Sequence, residues 1–547
     1  MIYSHIISAY EKVYKGEQYR VDSACLDLTA LKGDTVSFQV VYNSEETLVG
    51  KVTVESPFGK HLLLRSVEYV PATCPYRTLE GMKRDGNYEK TKPFECPDVL
   101  RGMRAGRLKI VKDKYRTVRI DIDIPERFKA GDYTVKVILT GADGAVLCEN
   151  EQRIRVYNAV LPEATLKHTE WFHTDCIADY YGYEVFSEKH WAAIESFMKT
   201  ATKRGINMIL TPIFTPPLDT QVGGERTTVQ LIDVFKNGDE WSFGFDKLDR
   251  WVALATKCGY KYFEISHLFT QWGANAAPKV MATVDGEYKR VFGWDTPVAD
   301  GVYPSFLAAA LPALTAHLRE LGIADRCYFH ISDEPSIEQI ESYERCKKLV
   351  APYIDGFKTM DALSKVDFYK TGLCELPVPS IGHIEDFYAL NMPELWSYYC
   401  CGPIEKTTNR FMTYSLTRIR AIGIQWFKYR VKGFLHWGYN FYNNQFSIKH
   451  INPYKIKQGE ETFPSGDSFI VYPGAGGRCE ESARLMALYA AQTDLRALNA
   501  LAEKTSYEHV LELIEGDLLD PITFESYPKS EYYYVNLRNK VNRELAD

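Results

Sequence analysis

Two neighbouring carboxylates, Asp333 and Glu334, stand directly before Pro335 in the segment CYFHISDEPS. Such a pair is equipped for acid–base chemistry. Proline has no N–H with which to extend strand pairing, so a strand reading CYFHI should end here and deliver both acids to the carboxyl edge of a sheet. Two carboxylates in one pocket resist ionising together. One pKa is expected to rise and the other to fall, which sets a proton donor beside an anion. The competing pattern is a helix start, with Asp333 as the cap and Glu334-Pro335 opening the first turn of IEQIESYERCKKL.

Glycosidic cleavage needs this combination: a neutral carboxylic acid protonates the departing oxygen while negative charge faces the developing oxocarbenium ion. Retaining glycosidases ordinarily hold a second carboxylate about 5–5.5 Å from the acid. The segment ELWSYYCC, where such a nucleophile would be sought, ends in Tyr-Tyr-Cys-Cys and carries its one acid, Glu394, at the opposite end. The substrate can supply the missing nucleophile. A 2-acetamido oxygen would attack the anomeric carbon, with Asp333 orienting the acetamido group and Glu334 serving as acid and then as base for water.

The elements that must position these groups follow from the pattern of apolar residues. Up to about residue 160 the chain alternates short strands with turns, as in YRTVRIDIDIP and AGDYTVKVILTGADG, which reads as an antiparallel β-sandwich. Val118, Ile120, Ile122 and Ile124 should share its inner face, with charges outside. Residues 161–502 then alternate apolar runs with amphipathic helices. Candidate strands lie at 168–175, 206–214, 262–269, 327–334, 356–363, 378–384, 395–401 and 433–441, and eight strand–helix repeats predict a (β/α)8 TIM barrel. Residues 503–547 read as a mixed C-terminal tail. Long loops after the second, third and eighth strands should build the substrate walls.

In such a barrel the reactive side chains belong at the carboxyl ends of strands. There the chain places His173 and Asp175, His267, His330, His383, Trp396 and Tyr398, then Trp437, Tyr439 and Asn440. These are candidates for substrate binding, the indoles as platforms for an apolar sugar face.

Composition narrows the partners. A net charge of −7 without a basic cluster argues against nucleic acid or an anionic membrane as partner, while 37 Tyr and 9 Trp suit sugar stacking. No basic leader followed by an apolar stretch opens the chain and no apolar run approaches a membrane span, so a cytoplasmic location is expected. The 12 cysteines form no CxxC spacing, and the adjacent Cys400 and Cys401 are expected as thiols. The glycine-rich FIVYPGAGGRCEES matches no phosphate-binding spacing. No cofactor is expected.

The ordered set of the Asp333-Glu334 pair, ELWSYYCCGP, GFLHWGYN and FIVYPG resembles glycoside hydrolase family 123. The resemblance implies a sandwich followed by a barrel, and retaining, substrate-assisted removal of terminal β-linked N-acetylhexosamine, preferably N-acetylgalactosamine. It also implies a glycan or glycoconjugate partner and catalysis by Asp333 and Glu334. Two other classes compete. Histidines at strand ends could bind a catalytic metal, although strand one offers His-x-Asp rather than His-x-His; alternatively, the chain could bind glycans without cleaving them.

Overall fold

A computed structural model describes residues 2–17, 27–75, 86–103 and 105–547. The N-terminal region folds into two packed sheets. Leu28–Lys32, Val146–Val160, Gly131–Gly141, Leu48–Glu55 and Arg107–Ile110 form one; Ile2–Ser8, Thr35–Ser44, Arg116–Asp123, Leu62–Ala72 and Phe94–Gly102 form the core of the other. Period-two alternation puts Val118, Ile120, Ile122 and Ile124 into the layer between them, with Val135, Val137 and Leu139 from the facing sheet.

The opposite face of this sheet is not solvated. Arg119 and Asp121 are both buried, and Asp121 sits against the guanidinium groups of Arg65 and Arg119. Glu481, which follows the last barrel strand, pairs with Arg65 and Arg204 and joins the same ladder. Its strand Cys479–Ser482 hydrogen-bonds directly to Phe94–Gly102. Burial raises the Asp121 carboxyl, but Arg119 and Arg65 outweigh that and hold it well below the usual range. The charges expected outside are thus covered by the next domain, and burial is tolerated because each is paired.

The barrel strands are β1 (Lys167–Glu170), β2 (Met208–Thr211), β3 (Tyr262–Ile265), β4 (Cys327–Phe329), β5 (Lys358–Ala362), β6 (Leu376–Val378), β7 (Trp396–Tyr398) and β8 (Gly433–His436). Seven parallel pairings run β6-β5-β4-β3-β2-β1-β8-β7. The ring closes just past β6, where Tyr398 N–H donates to Pro379 O and Ile381 N–H to Tyr398 O, both at 2.9 Å. Met208, Leu210, Tyr328, Met360, Leu376 and Trp396 fill the interior. Gly433 makes room for Trp396, since a Cβ there would lie 2.0 Å from the indole.

Helices separate the strands. They range from the long Glu188–Lys203, Val302–Glu320 and Ala483–Lys504 to the five-residue Ile384–Tyr388 after β6. The long loops after β2 and β3 each contain a hairpin, and the two join through Phe235 and Thr283 into a four-stranded accessory sheet. Residues 503–547 hold two further helices, Tyr507–Glu515 and Glu531–Ala546. The latter is pinned between the domains by Arg538, which bonds Asp34 of the sandwich at 2.5 Å and Asp494 of the barrel at 3.1 Å. Among the described residues no helix is long and apolar enough to cross a membrane.

Candidate active site

Strand β4 stops at Phe329, and the loop that follows carries both acids to the carboxyl mouth of the barrel. Glu334 adopts φ +44°, a left-handed conformation that costs roughly 1–3 kcal/mol outside glycine. Its N–H donates to Ala362 O at the end of β5 (3.1 Å), which fixes the kink. The next helical turn is capped by Ser336, with Gln339 closing a capping box. Neither acid is spent as a helix cap, so both carboxylates remain available to the cavity.

That cavity, about 200 Å³, is lined by Asp333, Glu334, Trp171, Tyr398 and Trp437, with Ala362 and Leu435 from strand ends. Its remaining walls come from the three long loops: Leu218 and Asp219 after β2, Gln271 and Trp272 after β3, Gln445 and Phe463 after β8. Cys400 and Cys401, thiols with Sγ atoms 4.0 Å apart, complete one side. Tyr398 donates its hydroxyl to Glu334 Oε1 at 2.7 Å. Trp171 Nε1 donates to Glu264 Oε1 at 2.7 Å, and Trp437 Nε1 to Asp467 Oδ2 at 3.2 Å. Buried acids thereby set the planes of both indoles.

Beneath Asp333 lies a polar stack. His330 is held between Glu264 (Nε2 to Oε1, 2.6 Å) and Asp361 (Nδ1 to Oδ1, 3.1 Å), and Tyr343 donates to Asp361 Oδ2 at 2.6 Å. Burial alone would pull the imidazole down, but the hydrogen bonds to Asp361 and Glu264 outweigh it and lift its pKa to about 10. Asp333 is raised well above the carboxylate range by burial and by the charge of Glu334, with His330 opposing. Glu334 is raised by burial against the Tyr398 hydrogen bond. Both acids move up, where a split in opposite directions was expected, because the indole-walled cavity desolvates the two together. The pair therefore holds a proton more tightly than free carboxyls do, as a general acid must.

Asp219 is a third carboxyl at the cavity. Its Oδ2 accepts Phe446 N–H at 2.9 Å, its own N–H donates to Gln271 Oε1 at 2.8 Å, and burial pushes its pKa up to about 6.

Several strand-end candidates hold loops together outside the cavity. His173 donates to Trp437 O (2.7 Å) and accepts from Arg226, which forms a bidentate pair with Asp175. Asn440 exchanges two 2.9 Å bonds with the His173 backbone. Tyr439 donates to Phe197 O and stacks on Phe172. Trp396 lies at the amino end of β7, bonded to Glu394, and His383 is exposed at the start of Ile384–Tyr388. His267 is buried and stacks on His330, ring centroids 4.3 Å apart. His267, His330 and Asp361 bring donor atoms within 4.8 Å of one another, but both His330 nitrogens are committed to carboxylates. His267 is thus the single uncommitted donor of the three, and the set does not fit a metal.

Trp171 escaped the sequence reading, although it stands in the same run as His173. Its signal was available: it is the first residue past β1, whose inward-facing positions alternate with period two.

Removing the Tyr398 hydroxyl should be visible in the pH profile. Its hydrogen bond favours ionised Glu334, so in Tyr398→Phe the acid stays protonated to higher pH and the basic limb of kcat/KM moves up. A limb that stays in place or moves down in rate–pH measurements would show that Tyr398 does not tune this acid.

A parallel barrel with an acid pair between indole walls suits a glycoside hydrolase, and comparison with protein families agrees: the model described as glycoside hydrolase 123, catalytic domain, matches residues 171–501. The chain belongs to glycoside hydrolase family 123. A solved family 123 glycoside hydrolase from Clostridium perfringens, described for glycolipid glycan hydrolysis, superposes with a TM-score of 0.74 at 17% identity. The match covers 100% of this chain and 97% of that one. Two other solved structures are far more distant. A β-galactosidase-like protein from Bacteroides fragilis has a TM-score of 0.34 at 10% identity, covering 88% of this chain and 60% of its own. A family 5 mannosidase from Rhizomucor miehei has 0.31 at 11%, covering 64% and 95%. A search of curated protein sequences finds no match. The substrate is accordingly a glycan or glycoconjugate.

Proposed function

We propose that this hydrolase removes terminal β-linked N-acetylhexosamine, preferably N-acetylgalactosamine, with retention and with the sugar's own 2-acetamido oxygen as nucleophile. The observation that carries this reading is the adjacency of Asp333 and Glu334 in one desolvated cavity, with different neighbours. Asp333 lies deeper, above the His330 stack, where a bound acetamide N–H would find it. That N–H favours the ionised form of Asp333, and the proton of the pair then belongs to Glu334. Glu334, at the mouth beside Tyr398, protonates the leaving oxygen and afterwards takes a proton from water. The similarity to a clostridial enzyme described for glycolipid glycans makes a glycolipid headgroup a natural candidate substrate.

Asp219 supports a second arrangement, in which a protein carboxylate attacks directly. A pKa pushed up to about 6 and an oxygen committed to Phe446 suit it less to that role. Chromogenic β-glycosides with and without the 2-acetamido group separate the two. Substrate assistance predicts turnover confined to the acetamido sugars, a loss of at least about 10³-fold without the group. Comparable rates on β-galactosides would reject it in favour of Asp219.

A further inference from the structure

Building on the amino-sugar reading, we propose that Trp272 and Phe446 form a stacking platform for the pyranose ring of the leaving group, the second sugar of the glycan. A glycosidic oxygen reaching Glu334 has one sugar in the cavity and the other outside it. The exposed side of Glu334 must therefore face the leaving group. Two large aromatic residues stand there, unusually open to solvent: Trp272 is 38% exposed and Phe446 36% exposed. Their rings meet edge to face, centroids 5.7 Å apart at 85°.

Both are tied by their backbones to the acids. Trp272 N–H donates to Asp333 O (3.4 Å) and Trp272 O accepts from Gln339, the capping-box residue of the acid loop (2.9 Å). Phe446 N–H is held by the Asp219 carboxylate, and its carbonyl accepts from Gln221 N–H (2.9 Å). Of the twelve non-glycine residues with positive φ among those described, five gather at this mouth: Asp219, Trp272, Glu334, Phe446 and Ser447. Left-handed backbone at about 1–3 kcal/mol per residue persists only where the surroundings enforce it. Here it presents two aromatic rings to solvent in fixed register with the acid. An apolar face held rigid beside a polar acid matches a pyranose, whose axial hydrogens form one apolar side and whose hydroxyls lie at the edge.

The test uses Glu334→Gln, which removes the general acid but keeps an oxygen for Tyr398. By calorimetry, the methyl β-glycoside of N-acetylgalactosamine is compared with a disaccharide and a trisaccharide carrying the same terminal sugar. The longer glycans should bind more tightly. Adding Trp272→Asn, chosen because asparagine tolerates positive φ, should weaken them about tenfold more than it weakens the monosaccharide. Trp272→Phe should restore most of that difference, and Phe446→Leu should cause a smaller loss in the same direction. Equal weakening of mono- and oligosaccharide would overturn the proposal and confine Trp272 to its part in the wall of the sugar pocket. So would a loss confined to glycolipid in phosphatidylcholine vesicles, which would mark a lipid contact. If the monosaccharide itself does not bind, the amino-sugar reading fails and the platform with it. That failure is distinct from binding without discrimination.

Discussion

Under the proposed substrate assistance, Asp333→Asn should lower kcat by about 10²–10³-fold on every substrate, aryl glycosides with excellent leaving groups included, because the charge it removes would stabilise the cyclised intermediate itself. The loss should not depend on the leaving group. An asparagine in this position can still receive the acetamide N–H through its carbonyl, so KM should change little while the transition state loses its counter-charge. Folding should not confuse the measurement. Asp333 and Glu334 raise one another's cost of ionisation, and neutralising one relieves that repulsion, so the unfolding midpoint near neutral pH should hold or rise. Steady-state kinetics on a nitrophenyl glycoside and on a disaccharide, with a thermal melt of the same sample, make the check. Full activity on the nitrophenyl substrate would remove Asp333 from the mechanism.

Glu334→Gln should behave in the opposite manner, with a cost that grows as the leaving group worsens. For a sugar leaving group, whose oxygen must be protonated as the bond breaks, the expected loss is about 10²–10⁴-fold. A dinitrophenolate needs no proton, so cleavage itself should be nearly unaffected there, leaving the slower activation of water as the residual defect. The amide can still accept from Tyr398, and the loop geometry set by Ala362 and the capping box does not involve the carboxylate. The measurement is kcat/KM across a series of aryl leaving groups, plotted against their pKa. The variant should give a steep dependence and the parent enzyme a shallow one. Parallel lines would mean that Glu334 is not the acid and that the proton comes from elsewhere in the cavity.

The two variants together distinguish roles that the electrostatics alone do not. Burial lifts both carboxyls, and the His330 imidazolium between Glu264 and Asp361 opposes that lift at Asp333. The substrate's amide completes the asymmetry. In this account the pair is poised by the protein and sorted by the ligand, and leaving-group dependence is the property that reveals which member kept the proton.

How much of this was legible in the chain depends on the distance over which each feature is encoded. Alternation in RTVRIDIDI placed Ile120 and Ile122 in a core without any structure, because period two is a local property of a strand. It could not show that Arg119 and Asp121 would be buried too. Their cover includes Glu481 and Arg204, which join the ladder through Arg65, lie far along the chain and arrive only when barrel and sandwich dock. In HTEWFHTD the expected strand ran to Asp175, but β1 ends at Glu170. Those few residues turn Trp171 toward the cavity and send His173 and Asp175 to clasp Arg226 instead. The same arithmetic separates Trp396 from Tyr398: both face inward on β7, one at the closed bottom and one at the mouth.

From the residues alone followed the class of fold, the acid pair at the end of the fourth strand and the indole and phenol beside it, since apolar periodicity and a proline that ends strand pairing act over a handful of neighbouring positions. Only the folded chain decided that both carboxyls would be lifted and that Asp219, Gln271 and Trp272 would complete the walls. It also decided that the strand-end histidines His173 and His330 would serve as struts. Loops carry no period to say which side chain turns inward, and desolvation belongs to a cavity whose walls come from the ends of seven strands and the loops that follow them.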